Sequence, residues 1–385
     1  MLLATLLSAW IQYGADGAAH ARTISTGAHC PVVLVDGHGA RGVQRAAPDA
    51  AYTERVCDAP LPAGAQRIVV AGRALPHPAH DPNRIIVLGD TGCRVKGFFA
   101  VQACDDPVRW PFPRVAREIA AQHPDLIVHV GDYLYRETAC PRFRSGCRGT
   151  PHGDGTAAWR ADFFTPAAPM FAAAPLLLVR GNHEECRRNG RGWYRYLGVR
   201  AAVACADEEM PFAVDLGTLR LVDFDSAVAE DIGISDKHAD TYRPEFARAR
   251  ALAAGARDAW FVTHRPPYLN RDERDAMGTT LTRFEAVLAG HVHLFGAMNV
   301  GDLPPLLVNG EGGTALDPDI DDVFGITTGH LPVRRPVFIS SHHGFAIYTR
   351  VRGGWDLSLR DPDGRERAQC TLRKGNVHCF EDRAG

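Results

Sequence analysis

Through the middle of this chain the apolar positions come in short unbroken runs that end abruptly in polar residues. Ile85-Ile86-Val87-Leu88, Leu126-Ile127-Val128-His129-Val130, Leu176-Leu177-Leu178-Val179, Trp260-Phe261-Val262-Thr263 and Phe284-Glu285-Ala286-Val287-Leu288 are such runs. Continuous runs of this length predict strands buried on both faces. Between some of them the pattern turns helical, over Pro113 to Gln122 and Pro244 to Ala254. Strand–helix alternation predicts an α/β layered core with functional residues collected at strand ends. Residues 22–82 read differently. Stretches such as Pro31-Val32-Val33-Leu34-Val35 and Arg67-Ile68-Val69-Val70 are punctuated by glycine and proline, ending in a Pro-rich segment, Pro76 to Pro82. They predict a small β-rich N-terminal module and a linker. The main domain then occupies residues 83–350. Segments such as Phe345 to Arg350 and Trp355 to Leu359 predict closing strands, with 351–385 as a C-terminal β-hairpin extension.

The N-terminus and the cysteines bear on location. Leu2 to Ile11 form an apolar run too short to span a bilayer as a helix, followed by small residues ending in Ala19-His20-Ala21. That is the outline of a cleaved signal peptide over residues 1–21, although no Lys or Arg follows Met1. The 10 cysteines fall into five neighbouring couples: Cys30 with Cys57, Cys93 with Cys104, Cys140 with Cys147, Cys186 with Cys205, and Cys370 with Cys379. There is no C-x-x-C knuckle, so local disulfides in an oxidising compartment explain the pattern better than zinc sites. Sequential pairing is the expectation, though sequence alone leaves connectivity open. The protein is expected to be exported, periplasmic or extracellular, without a transmembrane helix. A formal net charge of -2 leaves no global basic field, so no nucleic-acid partner is expected.

The chemistry lies where the apolar runs stop. The stops are Gly89-Asp90-Thr91-Gly92, Gly131-Asp132-Tyr133-Leu134-Tyr135, Gly181-Asn182-His183-Glu184, Thr263-His264-Arg265 and Gly290-His291-Val292-His293. A single aspartate after a strand usually caps a helix, and a single histidine is usually a satisfied side chain. Five such stops in succession bring aspartates, an asparagine and histidines to loops on one sheet edge. Carboxylates and imidazoles suit ions such as Zn, Mn or Fe, and one aspartate can bridge two of them. Two adjacent metals supply a nucleophile, neutralised oxygens and in-line geometry for hydrolysing a phosphate ester.

These blocks resemble the calcineurin-like metallophosphoesterases and, among them, most resemble the purple acid phosphatases. The pattern is G-D-x-G, G-D-x-x-Y, G-N-H-E, a strand ending in His, and G-H-x-H. Most relatives carry D-x-H in the first block; here Gly92 replaces that histidine while Tyr135 supplies the tyrosine of the second. The resemblance implies a four-layer αββα sandwich preceded by the small β-rich module. It implies a first metal held by Asp90, Asp132, Tyr135 and His293, ferric if the phenolate binds. It implies a second, divalent Fe, Zn or Mn, held by bridging Asp132, Asn182, His264 and His291. His183 would assist the leaving group, and Glu184 would orient a histidine. The implied reaction is hydrolysis of phosphate monoesters by a metal-bound hydroxide, on a small-molecule or otherwise phosphorylated substrate. The pattern departs from the family in one respect. Leu269 to Gly278 lacks the further substrate-contacting histidine and offers Arg271 and Arg274, beside Arg265, as phosphate contacts. That keeps a phosphodiesterase or nucleotide-cleaving hydrolase open, as well as a non-catalytic metal-containing extracellular binding protein.

Overall fold

The computed structural model describes residues 5–98, 100–200, 204–229, 239–269, 271–318 and 333–381. Eight strands form the framework around the site: β1 (Leu6–Tyr13), β2 (Ala19–Ser25), β3 (Arg84–Leu88), β4 (Leu126–His129), β5 (Leu176–Leu178), β6 (Asp258–Thr263), β7 (Ala286–Ala289) and β8 (Phe345–Val351). Two sheets carry the fold. The first has 11 strands, with β8, β3, β4, β5, β1 and β2 side by side at its centre. The second has seven, with β6 and β7 at its middle.

Parallel pairing aligns the strand ends that matter. Leu126 to His129 of β4 stand opposite Ile85 to Leu88 of β3 in parallel register, and β5 continues in the same direction. In the second sheet β6 and β7 are likewise parallel, Trp260 opposite Ala286. The carboxyl ends of all five strands therefore deliver their loops to one edge, the geometry that open α/β sheets use for sites.

The sheets pack face to face. Val87, Val128 and Leu177 of the first sheet share a buried cluster with Trp260, Val262 and Leu288 of the second. Behind the first sheet, Ile86, Ile127 and Leu176 pack on α1 (Phe112–Ala121) through Val115 and Ile119. Behind the second, Phe261 and Val287 pack on α2 (Ala239–Leu252) through Tyr242 and Phe246. Helix, sheet, sheet and helix make the four-layer αββα sandwich. Helix α2 starts upstream of the predicted Pro244, which sits inside it.

The N-terminal residues take up places in the main sheet. The run expected to be a signal peptide is β1, pairing with β5 on one side (Gln12 with Leu176) and with β2 on the other. Trp10 and Ile11 are completely buried. Ala21 of the supposed cleavage motif lies within β2, opposite Ile11 and Ala59. Cleavage there would remove one core strand and cut another. An apolar run bounded by small residues suits a leader and a doubly covered strand equally. Nor do residues 22–82 stand apart as a module. β2, Arg55–Pro60 and Val43–Ala46 extend the main sheet, while a separate four-stranded sheet gathers the rest of the segment. At the other end Gly354–Arg360, Glu366–Arg373 and Asn376–Glu381 extend the same main sheet beyond β8.

All ten cysteines are paired, each with the neighbour expected from sequence: 30–57, 93–104, 140–147, 186–205 and 370–379. Among the described residues no helix is long and apolar enough to cross a membrane.

Candidate metal centre

The loops after the five strands turn tightly enough to aim their polar residues into a shared cleft. Asp90, Asp132 and His291 all have left-handed backbones, with φ of 56°, 62° and 69°. Such conformations are costly for side-chain-bearing residues and persist only where the surroundings enforce them. Gly92 explains its own identity. A Cβ there would lie 2.8 Å from the Tyr133 carbonyl oxygen, the Tyr135 backbone nitrogen and the Tyr135 ring, so this loop leaves no room for a side chain at 92.

Four of the expected side chains converge on one point. The Tyr135 hydroxyl lies 2.8 Å from Asp90 Oδ1, 2.7 Å from Asp132 Oδ2 and 3.1 Å from His293 Nε2. All four residues are buried. His293 Nδ1 faces the Ala315 carbonyl at 3.0 Å, which turns Nε2 toward the cluster. Burial, then the Asp132 and Asp90 carboxylates, push the Tyr135 phenol well above its ordinary range.

The second group shares Asp132. His264 Nε2 is 3.3 Å from Asp132 Oδ2 and 3.0 Å from Asn182 Oδ1, and His291 Nδ1 is 2.9 Å from the same amide oxygen. His264 Nδ1 donates to the Val130 carbonyl at 2.7 Å, which turns Nε2 toward the cluster. One ligand atom each from Asp132, His264 and His291 falls within 4.8 Å of the others. Burial disfavours charge on His264, but the Asp132 carboxylate overrides it and lifts the imidazole to about 9. Carboxylates, a phenol, an amide oxygen and imidazoles are crowded together here. The donor set fits two hard-to-borderline metal ions.

His183 stands beside this cluster. Its ring packs on Tyr135 with centroids 3.7 Å apart, and its Nε2 is 3.8 Å from Asp132 Oδ2. Its Nδ1 lies 2.8 Å from Glu137 Oε1, the carboxylate that Arg188 Nε also reaches at 2.9 Å. Burial holds the His183 imidazole down to about 4, with Asp132 and Glu137 pulling the other way. Glu137 and Arg188 belong to no motif that the sequence displays. Their only signal is position, two residues past Tyr135 and four past Glu184.

Glu184 departs from its expected role. It orients no histidine; it accepts the backbone N–H groups of Asp132, Tyr133 and Leu134, at 3.2, 2.9 and 3.2 Å. It thereby fixes the loop that presents Asp132 and Tyr135. Among the arginines, Arg265 Nη1 is 3.2 Å from His291 Nε2 and its backbone N–H donates to Ser226. Arg271 opens the helix Arg271–Met277, and its side chain is outside the described residues. Arg274, on the same helix, stands 4.0 Å from Asp275.

A sequence model of the calcineurin-like phosphoesterases matches residues 83–295, the stretch that contains every one of these loops. The chain belongs to the calcineurin-like phosphoesterases. In fold this phosphoesterase is similar to PPD1, a purple acid phosphatase from yellow lupin (Lupinus luteus) seeds. The TM-score is 0.64 at 13% identity, over 98% of this chain and 74% of that one. It is similar also to PhoD, with TM-score 0.62 at 11% identity, over 98% of this chain and 93% of that one. No curated protein sequence matches the phosphoesterase.

Proposed function

We propose that this phosphoesterase hydrolyses phosphate monoesters at a two-metal centre, in the manner of a purple acid phosphatase, in an exported setting that its five disulfides favour. The observation that carries the reading is Tyr135, lodged beside Gly92 and in contact with Asp90, Asp132 and His293 at once. Asp90, Asp132, Tyr135 and His293 would hold the first ion; Asp132, Asn182, His264 and His291 would hold the second. A buried phenol between two carboxylates gives up its proton only to a strong positive charge, which favours ferric iron at the first position and a divalent Fe, Zn or Mn at the second. Two ions held there supply Lewis acidity, neutralising phosphoryl oxygens and lowering the pKa of the attacking water.

The protein's own groups do the rest. Asp132 is shared by both ligand sets and sets their spacing. Glu137 holds His183 with Nε2 toward the cleft. A dianionic phosphate beside that ring favours its imidazolium form, whose second N–H then reaches the leaving oxygen. Arg188, near His183 through Glu137, and Arg265, beside His291, bring guanidinium charge to the cluster, which suits a terminal phosphate more than a singly charged diester.

The test compares nitrophenyl phosphate with bis(nitrophenyl) phosphate on metal-loaded protein, with Asn182→Ala as control. A monoester preference that collapses by about 100-fold or more in the control is expected, since removing a metal ligand removes the transition-state charge stabilisation. A diester preference would move the function to phosphodiesterase. No asparagine-dependent turnover of either ester would favour a metal-containing binding protein.

A further inference from the structure

Two phenylalanines stand out of the surface on loops adjoining those of the metal centre. Phe98 is 66% exposed and Phe143 is 68% exposed, yet their rings are nearly parallel, 12° apart in plane with centroids 6.4 Å apart. Both sit on loops that spring directly from the metal-centre loops. Phe98 lies between Val95–Lys96 and Ala100–Val101, a short hairpin inside the Cys93–Cys104 disulfide loop. Phe143 lies inside the Cys140–Cys147 loop, a few residues past Tyr135.

These loops are fastened to one another. Thr138 N–H donates to the Val95 carbonyl at 3.2 Å, Gly97 N–H donates to Thr138 Oγ1 at 2.9 Å, and Asp105 N–H donates to the Gly146 carbonyl at 3.2 Å. Exposed apolar rings held this firmly lose little entropy on meeting a ligand. Their surroundings are cationic. Arg144 places its guanidinium 5.7 Å from the Phe143 ring; exposed Arg142 lies within the same disulfide loop and exposed Arg148 directly after it. Lys96, two residues before Phe98, stands 3.9 Å from Glu137, the carboxylate that touches His183. The hairpin that carries Phe98 is thus linked through Lys96 and Glu137 to His183.

Resting on the monoesterase reading, we propose that Phe98 and Phe143 form a subsite for the leaving alcohol, selecting phosphate esters whose alcohol carries a planar aromatic group of nucleobase type. Flat rings stack on phenylalanine faces without hydrogen-bond readout, and the neighbouring cations complement any further anionic group on the ester. A base lies against either exposed face, or between the rings after a small opening. The phosphate stays over the metal centre and the alcohol leaves past His183.

The test measures kcat/KM for adenosine 5′-monophosphate and for glycerol 3-phosphate on metal-loaded wild type, Phe98→Ala, Phe143→Ala, the double alanine variant and Phe143→Trp. The ratio of the two values is expected to fall on the order of ten-fold in the alanine variants, most in the double variant, and to be restored by tryptophan. An unchanged ratio would overturn the subsite. Adenosine binding, followed by intrinsic fluorescence, separates this outcome from failure of the monoesterase reading. Loss of adenosine binding in the alanine variants, even without turnover of any ester, would keep the subsite while rejecting the catalysis. If wild type instead binds phosphatidylglycerol vesicles, and the alanine variants lose that binding without any change in the substrate ratio, the pair is a membrane contact and the proposal fails.

Discussion

Glu184 shows how much of this site depends on a residue that touches no substrate. Burial, followed by the Asp132 charge, pushes its carboxyl up to about 8, while three N–H groups of the 132–134 loop hold it in place. Replacing it by alanine strands those donors in a buried loop. Glu184→Ala is expected to lower unfolding free energy on the order of 3 kcal/mol, read by urea denaturation, with metal content falling as Asp132 loses its support. Glu184→Gln keeps one acceptor oxygen and should lose less. Tyr135→Phe removes a single atom from the centre of the first ligand set. Metal analysis should show the first ion depleted and the second largely retained, and any visible phenolate-to-iron charge-transfer band should vanish. At this scale the sequence was most readable. Asp90, Asp132, Asn182, His264, His291 and His293 each follow an apolar run, and any fold that ends those runs on one edge must bring them together. Glu137 and Arg188 were not readable, because they lie in loops whose course is set by tertiary contacts.

Among the elements, β1 is the one whose sequence pattern admits two readings. Eight residues of mostly apolar character look alike whether they are destined for removal or for the middle of a sheet. Only the partner strands distinguish the two, and one of them, β5, lies far along the chain. A protein lacking residues 1–21 is therefore expected to be insoluble or unfolded, as read by expression and circular dichroism; a well-folded, metal-binding truncation would contradict the placement of β1. Trp10→Ala asks the same question more gently. Its ring is completely buried against Phe164 and Phe171, so the substitution should cost about 3–5 kcal/mol of stability. The strands β3 to β7 were legible because both of their faces are covered, which leaves no polar alternation to confuse the reading. The 22–82 segment is less legible: its glycines and prolines mark turns faithfully but say nothing about which sheet the intervening strands join.

For the whole molecule, the buried acidic group Glu209 contributes a pH dependence of its own. Glu209 is pushed up to about 7 by burial and then by the Asp225 charge, against the pull of the Trp193 indole N–H and Arg180. A carboxyl whose folded pKa exceeds its unfolded value binds its proton more tightly when folded. Its contribution is thus fully present below about 4.3, the unfolded value, and is lost as pH rises to about 7. Between these values the wild type should lose stability relative to Glu209→Gln as pH rises, read from their unfolding midpoints; a pH-independent difference would remove Glu209 as a source. The fold also has a consequence for how the protein is made. β1 leaves the ribosome well before its neighbour β5, which emerges only after Leu178. At roughly 5–20 residues per second, that interval is on the order of ten seconds. Throughout it the nascent chain carries an apolar segment with one side of its sheet not yet synthesised. Biosynthesis, rather than the finished structure, is where this protein depends most on whatever shields apolar chain from aggregation.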